Sequence, residues 1–495
     1  LRATNASALL SMYIYTTDIK TFKKETKMIN FWDSDVWSWI LLFAVLTGSL
    51  LVGNTLRRKI PLLRNSLIPT SVIGGAVLLI VAAIYKAITG NVMFDTAAFG
   101  GNGTENLEII TYHALALGFI ASSLKYSDKP VNKKRLAEIF DTGVTTVSTY
   151  LLQAVVGMTI TIVASLVFIP GFFKAAGLLL PFGYGQGTGQ ALNYGIIYEG
   201  LGFKGGAAFG LTIAALGFIS AAIGGVIHLN IRKTNGKLQK SSRDDGSRYH
   251  EDVETEGEIP MQESVDKMTI QISLIIAAYV IAYVIMHVLG LILPGMKATI
   301  YGFNFLLGVV GAIIVKGVVG LLRKTGLMKR KYINNFLMTR TSNFFFDLMV
   351  VAGVAAIRLD ELQSYWGVVI ILGIVGALIT YGYLRIVCKK LFPDYEEEQF
   401  LMMYGMLTGT ASTGTILLRE VDGEFRTPAA DNMVYQNFPA IVFGFPLMLL
   451  ANLAPSKPIL TFGILIAFFA VMNIILFRSK IFKSKKKQAS ENAKS

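Results

Sequence analysis

Gly183-Tyr184-Gly185-Gln186-Gly187-Thr188-Gly189 breaks an apolar run in the first half of this 495-residue chain. Gly405-Met406-Leu407-Thr408-Gly409-Thr410-Ala411-Ser412-Thr413-Gly414-Thr415 breaks another at the matching place in the second half. Around both lie apolar segments of about the 20 residues that cross a bilayer as a helix. Backbone that is neither helix nor closed barrel is tolerated at membrane depth only where protein buries it or it lines a watery cavity. Paired glycine breaks in corresponding segments therefore point to a substrate site of the kind secondary transporters use.

Composition agrees with a membrane setting. Charged residues make up only 16% of the chain, against about 25% in soluble proteins, and the mean hydropathy is +0.54. The net charge of +14 is most simply a topology signal, because Lys and Arg accumulate in cytoplasmic loops, and nucleic acid is not an expected partner. A single cysteine, Cys388, excludes a disulfide within the chain, and His113, His228, His250 and His287 are too scattered for a metal-ligand spacing. No His-Glu-x-x-His, Walker A or Gly-x-Ser-x-Gly sequence appears, so an ATP-driven pump or an intramembrane hydrolase is disfavoured. The reading is of a protein that is not an enzyme and needs no cofactor, driven by an ion gradient.

The predicted fold is all-α and polytopic. Apolar segments fall at 36–56, 67–88, 107–124, 143–169 and 205–231, then at 268–293, 299–322, 341–357, 365–388, 431–453 and 458–477, which makes eleven spans. The stretch from 172 to 198 is left out, since its apolar run dissolves into Pro181 and glycines. Residues 1–35 read as an N-terminal tail, with Met28 as the expected true start and no cleaved signal peptide visible. The polar segment 232–267 reads as a cytoplasmic connector between the two repeats, 36–231 and 268–453. The span 458–477 is extra, and 478–495, with Lys485-Lys486-Lys487, is a basic cytoplasmic tail.

Charge sets the orientation. With the N-terminus outside and the C-terminus inside, Arg57, Arg58 and Lys59, the Lys133-Lys134-Arg135 run, Arg323 with Lys324, and Lys389 with Lys390 all fall in the cytoplasm. External loops keep isolated cations such as Lys86, Lys204 and Lys457. This works only if the stretches near 172–199 and 396–420 enter partway and return to the side they came from. Two re-entrant hairpins then make the first five spans and the next five run in opposite senses, an inverted repeat.

Glycines at alternate positions of the first hairpin let backbone amides approach a ligand, and helix N-termini there suit a carboxylate. Gln186, Gly187, Thr188 and Gly189 are the substrate-binding candidates on that side, with Gln190 as a further donor and acceptor. Thr410, Ser412, Thr413 and Thr415 are their counterparts in the second hairpin, joined by Gln436 and Asn437 beside Pro439. Asp347 is the only acidic residue well inside a span, where an unpaired charge costs at least a few kcal/mol. With Asn343 in the same run and Thr408, it is the expected coupling-cation site. His113 reads as a packing histidine, Lys316 as a snorkelling lysine, and Asn193 and Thr212 as interhelical hydrogen-bonding groups.

The run Gly185-Gln186-Gly187-Thr188-Gly189, the span that follows at 205–230, the earlier Ile68-Pro69-Thr70-Ser71-Val72-Ile73-Gly74-Gly75 and the second hairpin through Pro439 together resemble the bacterial sodium/glutamate symporter family. The similarity covers roughly 37–453. It implies a sodium-coupled uptake carrier of the inner membrane, built from two inverted halves of five spans and one hairpin each. It also implies a homodimer in which a transport part moves against a scaffold part. The family hairpin usually reads Gly-Gly-His-Gly-Thr-Gly. Here Tyr184 stands for the first glycine and Gln186 for the histidine, while Gly414 stands where the glutamate carriers have proline. These changes, in both hairpins, fall where the resemblance puts the ligand, so sodium coupling and anion transport carry over better than glutamate itself.

The leading expectation is sodium-coupled symport of a small organic anion, with L-glutamate the first candidate. A carrier for another carboxylate or amino acid, proton-coupled through Asp347 or His113, is the alternative. An ion channel fits less well, because the two loops differ in sequence and approach from opposite sides.

Overall fold

The computed structural model of the chain describes residues 30–126, 133–234, 258–259, 265–362, 365–422 and 426–478. The expected start at Met28, most of the connector and the basic tail beyond 478 lie outside the described residues. Among those described, the secondary structure is helical, with one isolated bridge between Glu258 and Lys331.

The first half runs through α1 (Ser34–Lys59), α2 (Thr70–Thr89), α3 (Gly103–Leu124) and α4 (Lys133–Val163). A broken stretch follows, then α5 (Thr188–Gly200) and α6 (Gly206–Thr234). The second half repeats this order with α7 (Lys267–Ile292), α8 (Asn304–Lys324), α9 (Asn335–Ala355) and α10 (Trp366–Leu391). The short pair α11 (Glu396–Thr408) and α12 (Ala411–Arg419) comes next, then the bent pair α13 (Ala429–Tyr435) and α14 (Asn437–Leu453), and finally α15 (Pro458–Leu476).

Local sequence sets the ends. α1 closes on Arg57-Arg58-Lys59, cations that suit the negative end of a helix, and Pro61 follows. α2 begins directly after Pro69 and stops at Gly90, whose φ of +74° is left-handed. Small residues set the crossings. A Cβ on Gly53 would lie 2.8 Å from Thr70 O and 2.9 Å from Gly74 N, so α1 and α2 touch backbone to backbone. The Gly74-Gly75 pair of the sequence motif serves packing, Gly74 against Ser49 of α1 and Gly75 against Val354 of α9.

Nine helical stretches among the described residues are long and apolar enough to cross a membrane, and the bent pair α13–α14 makes a tenth. The remaining expected span, 341–357, eighth in order, is helical as part of α9. It is too polar to count by composition, because Arg340, Thr341, Ser342, Asn343 and Asp347 crowd its first half.

The helices pack in two groups. α1, α2, α3, α7, α8 and α9 form one, in which α3 packs on α9 and α8, and α9 packs on α2. α4, α6, α10, α14 and α15 form the other around the two broken stretches. α5 bridges them, packing on α6 of the second group and touching α3 and α9 of the first. Lys316 of α8, read as a snorkelling lysine, reaches a helix end with its ammonium. Its Nζ donates to the carbonyls of Ser123 at 3.3 Å and Lys125 at 2.8 Å, closing the C-terminal end of α3.

Candidate functional site between the two helix breaks

Each glycine-rich stretch is a helix, a break and a second helix folded back on the first. In the first unit a widened π-helical turn, Pro181–Gly185, ends at Gln186, and α5 restarts at Thr188. Its two arms are clamped by Phe182 stacked on Tyr194, ring centres 4.0 Å apart. In the second unit α11 ends at Thr408 and α12 begins at Ala411. Those arms touch through Gly405 and Gly414, where a Cβ on Gly405 would lie 2.8 Å from the Gly414 backbone.

Most of the glycines in the first break serve close packing. A Cβ on Gly183 would meet Ile213 at 2.8 Å, one on Gly185 would meet the Tyr150 ring at 2.3 Å, and one on Gly189 would meet Leu115 at 2.8 Å. Gly187 differs. Its φ of +86° and ψ of −176° belong to a region open essentially to glycine alone. Its nearest neighbours across the missing side chain are Thr410 Cγ2 at 3.8 Å and Gly409 O at 3.9 Å. The two units therefore meet tip to tip.

Beside that contact lies a cavity of about 170 Å³. Gln186 and Gln190 line it from the first unit, Gly409, Thr410 and Ala411 from the second, and Gln436 and Asn437 from the α13–α14 joint. Leu115 and Ser122 of α3, Phe305 of α8, and Phe346 and Met349 of α9 close the opposite wall. Met406, Met433 and Met448 add a polarizable apolar surface. No charged side chain is among the lining residues.

Three amide atoms at this wall are buried without a hydrogen-bond partner: Gln186 Oε1, Gln190 Nε2 and Gln436 Oε1. For two of them the other end is fixed. Asn193 Nδ2 donates to Gln190 Oε1 at 3.0 Å, and Gln436 Nε2 donates to Asn437 Oδ1 at 3.0 Å. A buried polar atom left unpaired costs about 1–3 kcal/mol, which a ligand or water in the cavity would offset. The first turn of α5 leaves backbone N–H groups without helical acceptors, and its positive end starts at the same tip. At α12 one such donor is satisfied internally, since Thr413 N donates to Thr410 Oγ1. The arrangement offers neutral donors, neutral acceptors and a helix N-terminus to an anion with an apolar body.

Four of the expected residues thus line the cavity, namely Gln186, Thr410, Gln436 and Asn437, and Gly187 forms the tip contact. Thr188 is buried against Gly353 of α9 with its hydroxyl unpaired, and Gly189 packs on Leu115. Thr413 is buried beside Thr410, Thr415 donates to Ala411 O, and Ser412 is the second residue of α12. Among the cation candidates, Thr408 donates to Tyr404 O at 2.6 Å. Asp347 is half-buried and bonded to Ser71 of α2, and Asn343 is exposed, so neither lines the cavity. Gly414 corrects an expectation. It faces Met402 O of α11, 2.6 Å from where a Cβ would sit, rather than the ligand space.

Two clusters escaped the sequence reading. His228 of α6 is buried between Glu397 and Tyr381, with Nε2 2.7 Å from Glu397 Oε2 and Nδ1 2.7 Å from the Tyr381 hydroxyl. Arg232 and Arg385 hold the other carboxylate oxygen of Glu397 at the base of α11. Burial disfavours the charged Glu397, yet His228, Arg385 and Arg232 outweigh it and hold its carboxyl below the ordinary range. Gln153 of α4 is fully buried and donates to Thr380 Oγ1 and Leu407 O. Single polar residues in apolar helices, such as Gln153 and His228, were the available signal, and nothing in the sequence shows what they face.

A comparison with curated protein sequences finds no match. The sequence model of the sodium/glutamate symporter family matches residues 38–399, which take in the whole first break and stop just inside α11, short of the second tip. With nearly three quarters of its length matched, from α1 through the first tip to the base of the second, the chain belongs to the sodium/glutamate symporter family and is a multi-pass membrane transporter.

Proposed function

We propose that this protein is a sodium-coupled carrier that brings a small organic anion, with L-glutamate the first candidate, into the cell. The observation that carries the reading is the tip-to-tip meeting of Gly187 and Thr410 beside a cavity holding the unpaired amide atoms of Gln186, Gln190 and Gln436. Substrate binds between the two tips, with a carboxylate toward the N-terminus of α5.

The two halves are an inverted repeat, and each helix–break–helix unit is a re-entrant hairpin, one from each side of the membrane. Pairings that recur between the halves support this: α1 packs on α2 as α7 does on α8, and α3 packs on α8 as α9 does on α2. The charge map supports an outside N-terminus and a cytoplasmic C-terminus in the bacterial inner membrane. Grouping of the helices around α3–α9 and around α4–α10 supports a scaffold part and a transport part, and membership of the family supports a homodimer. Sodium is cargo, and no resident cofactor is needed.

One observation favours a second reading of the substrate. The walls are rich in Met and Phe, and Gln186 replaces the family histidine, so a carboxylate with a larger apolar body than glutamate fits the same cavity. Equilibrium binding to purified protein tests both. Sodium-dependent binding of L-glutamate, weakened by Gln186→Leu and Gln436→Leu, is expected. Binding of a more apolar carboxylate in its place would select the second reading, and binding of neither would reject the site.

A further inference from the structure

The helix N-termini of the two breaks are one half of the electrostatics, and the C-terminal ends are the other. The Pro181–Gly185 turn and α11 both stop at the breaks, so their last carbonyls run out of helical donors. Gln153 of α4 lies between these two ends. Its Nε2 donates to Leu407 O of α11 at 3.0 Å and to Thr380 Oγ1 of α10 at 2.9 Å. Reversing the amide would set Oε1 against the Leu407 carbonyl oxygen, so the network fixes its orientation. Oε1 therefore faces the first unit, 3.2 Å from the position a Cβ on Gly185 would take. The side chain is fully buried and this oxygen has no hydrogen-bond partner.

A buried acceptor without a donor, placed at two carbonyl ends, asks for a cation. Each helix C-terminus carries roughly half a negative charge, and two together offset about one positive charge without any carboxylate. Among the described residues no cluster of His, Cys, Asp and Glu could hold a metal ion. Neutral oxygens alone suit a hard monovalent cation rather than a divalent one.

We propose that the coupling sodium of the carrier reading above, on which this inference rests, binds at Gln153 Oε1 together with backbone carbonyls at the end of the Pro181–Gly185 turn. Because Gln153 also grips Leu407, a sodium ion there joins the backbones of both units and α10. Sodium then organises the same tips that hold the substrate, which gives a physical route for coupling.

The test is the melting temperature of the purified full-length protein, without organic substrate, in sodium, potassium or choline chloride at equal ionic strength. Wild type is expected to show a saturable upward shift with sodium alone, since a ligand of the folded state raises apparent stability. Gln153→Met, similar in size but without the oxygen, should lose that shift. Gln153→Glu keeps the shape but adds charge and turns the Leu407-facing donor into an acceptor, so the half-saturating sodium concentration should move about tenfold or more. If the Met variant does not fold, the Glu variant decides. An unchanged half-saturating sodium concentration in either variant would overturn the cation site and leave the carrier reading standing. A wild type with no sodium shift and sodium-independent uptake would remove both.

Discussion

Gly187→Ala isolates the conformation of the first tip from its packing. Gly187 sits at φ +86° and ψ −176°, where a residue with a side chain costs about 1–3 kcal/mol. An added Cβ would meet nothing closer than Thr410 Cγ2 at 3.8 Å, an ordinary contact, so the whole cost is backbone strain. A tip that relaxes away from this strain depopulates the binding arrangement by roughly 5- to 150-fold, and apparent affinity falls by the same factor. Calorimetric titration of purified protein with substrate at saturating sodium reads that factor. Gly185→Ala is the contrasting control. Its Cβ would lie 2.3 Å from the Tyr150 ring, so the melting temperature should fall before any ligand is added. Unchanged substrate affinity in Gly187→Ala would refute the claim that this tip conformation shapes the site.

Thr188→Val keeps the methyl packed on Gly353 and removes only an unpaired hydroxyl, so stability without ligand should hold or rise by up to about 1–3 kcal/mol while uptake falls; normal uptake would make that hydroxyl a trapped polar group. Asp347→Asn should leave half-maximal sodium for uptake unchanged, because Asp347 faces Ser71 and not the cavity; a large rise would return the carboxylate to the coupling site. Glu397→Gln should destabilise by about 1–3 kcal/mol at neutral pH. Since the folded Glu397 carboxyl titrates below its unfolded value of about 4.3, its contribution is complete above that value and lost as pH falls through the lowered one. Denaturation of wild type and variant should therefore converge only in acid, and a gap that persists there would remove the ion cluster as its cause.

The parts of the fold legible in the sequence were those that need only length and composition. Apolar runs marked the spans, and the breaks at 183–189 and 405–415 were visible because glycine and hydroxyl residues replace an apolar period. Direction around a helix axis was not legible. One step of sequence turns a residue by about 100°, and only neighbouring helices decide which way it ends. Asn343 and Asp347 therefore fall off the cavity, while Phe346 and Met349 on the same helix line it. The same ambiguity hid the glycines' separate tasks. Gly183, Gly185 and Gly189 let α6, α4 and α3 approach, and Gly187 alone carries the special backbone. Gln153 gave a single polar letter in a long apolar helix, and its meaning depends on Gly185 and Leu407, far away in sequence.

The most direct test is uptake of labelled L-glutamate by proteoliposomes holding the purified protein, with sodium imposed outside and potassium inside. The account predicts accumulation above equilibrium that collapses when sodium is equal on both sides, and that Gln186→Leu with Gln436→Leu suppresses while the protein stays folded. Accumulation driven equally well by a proton gradient without sodium, or undiminished in the double variant, would contradict it.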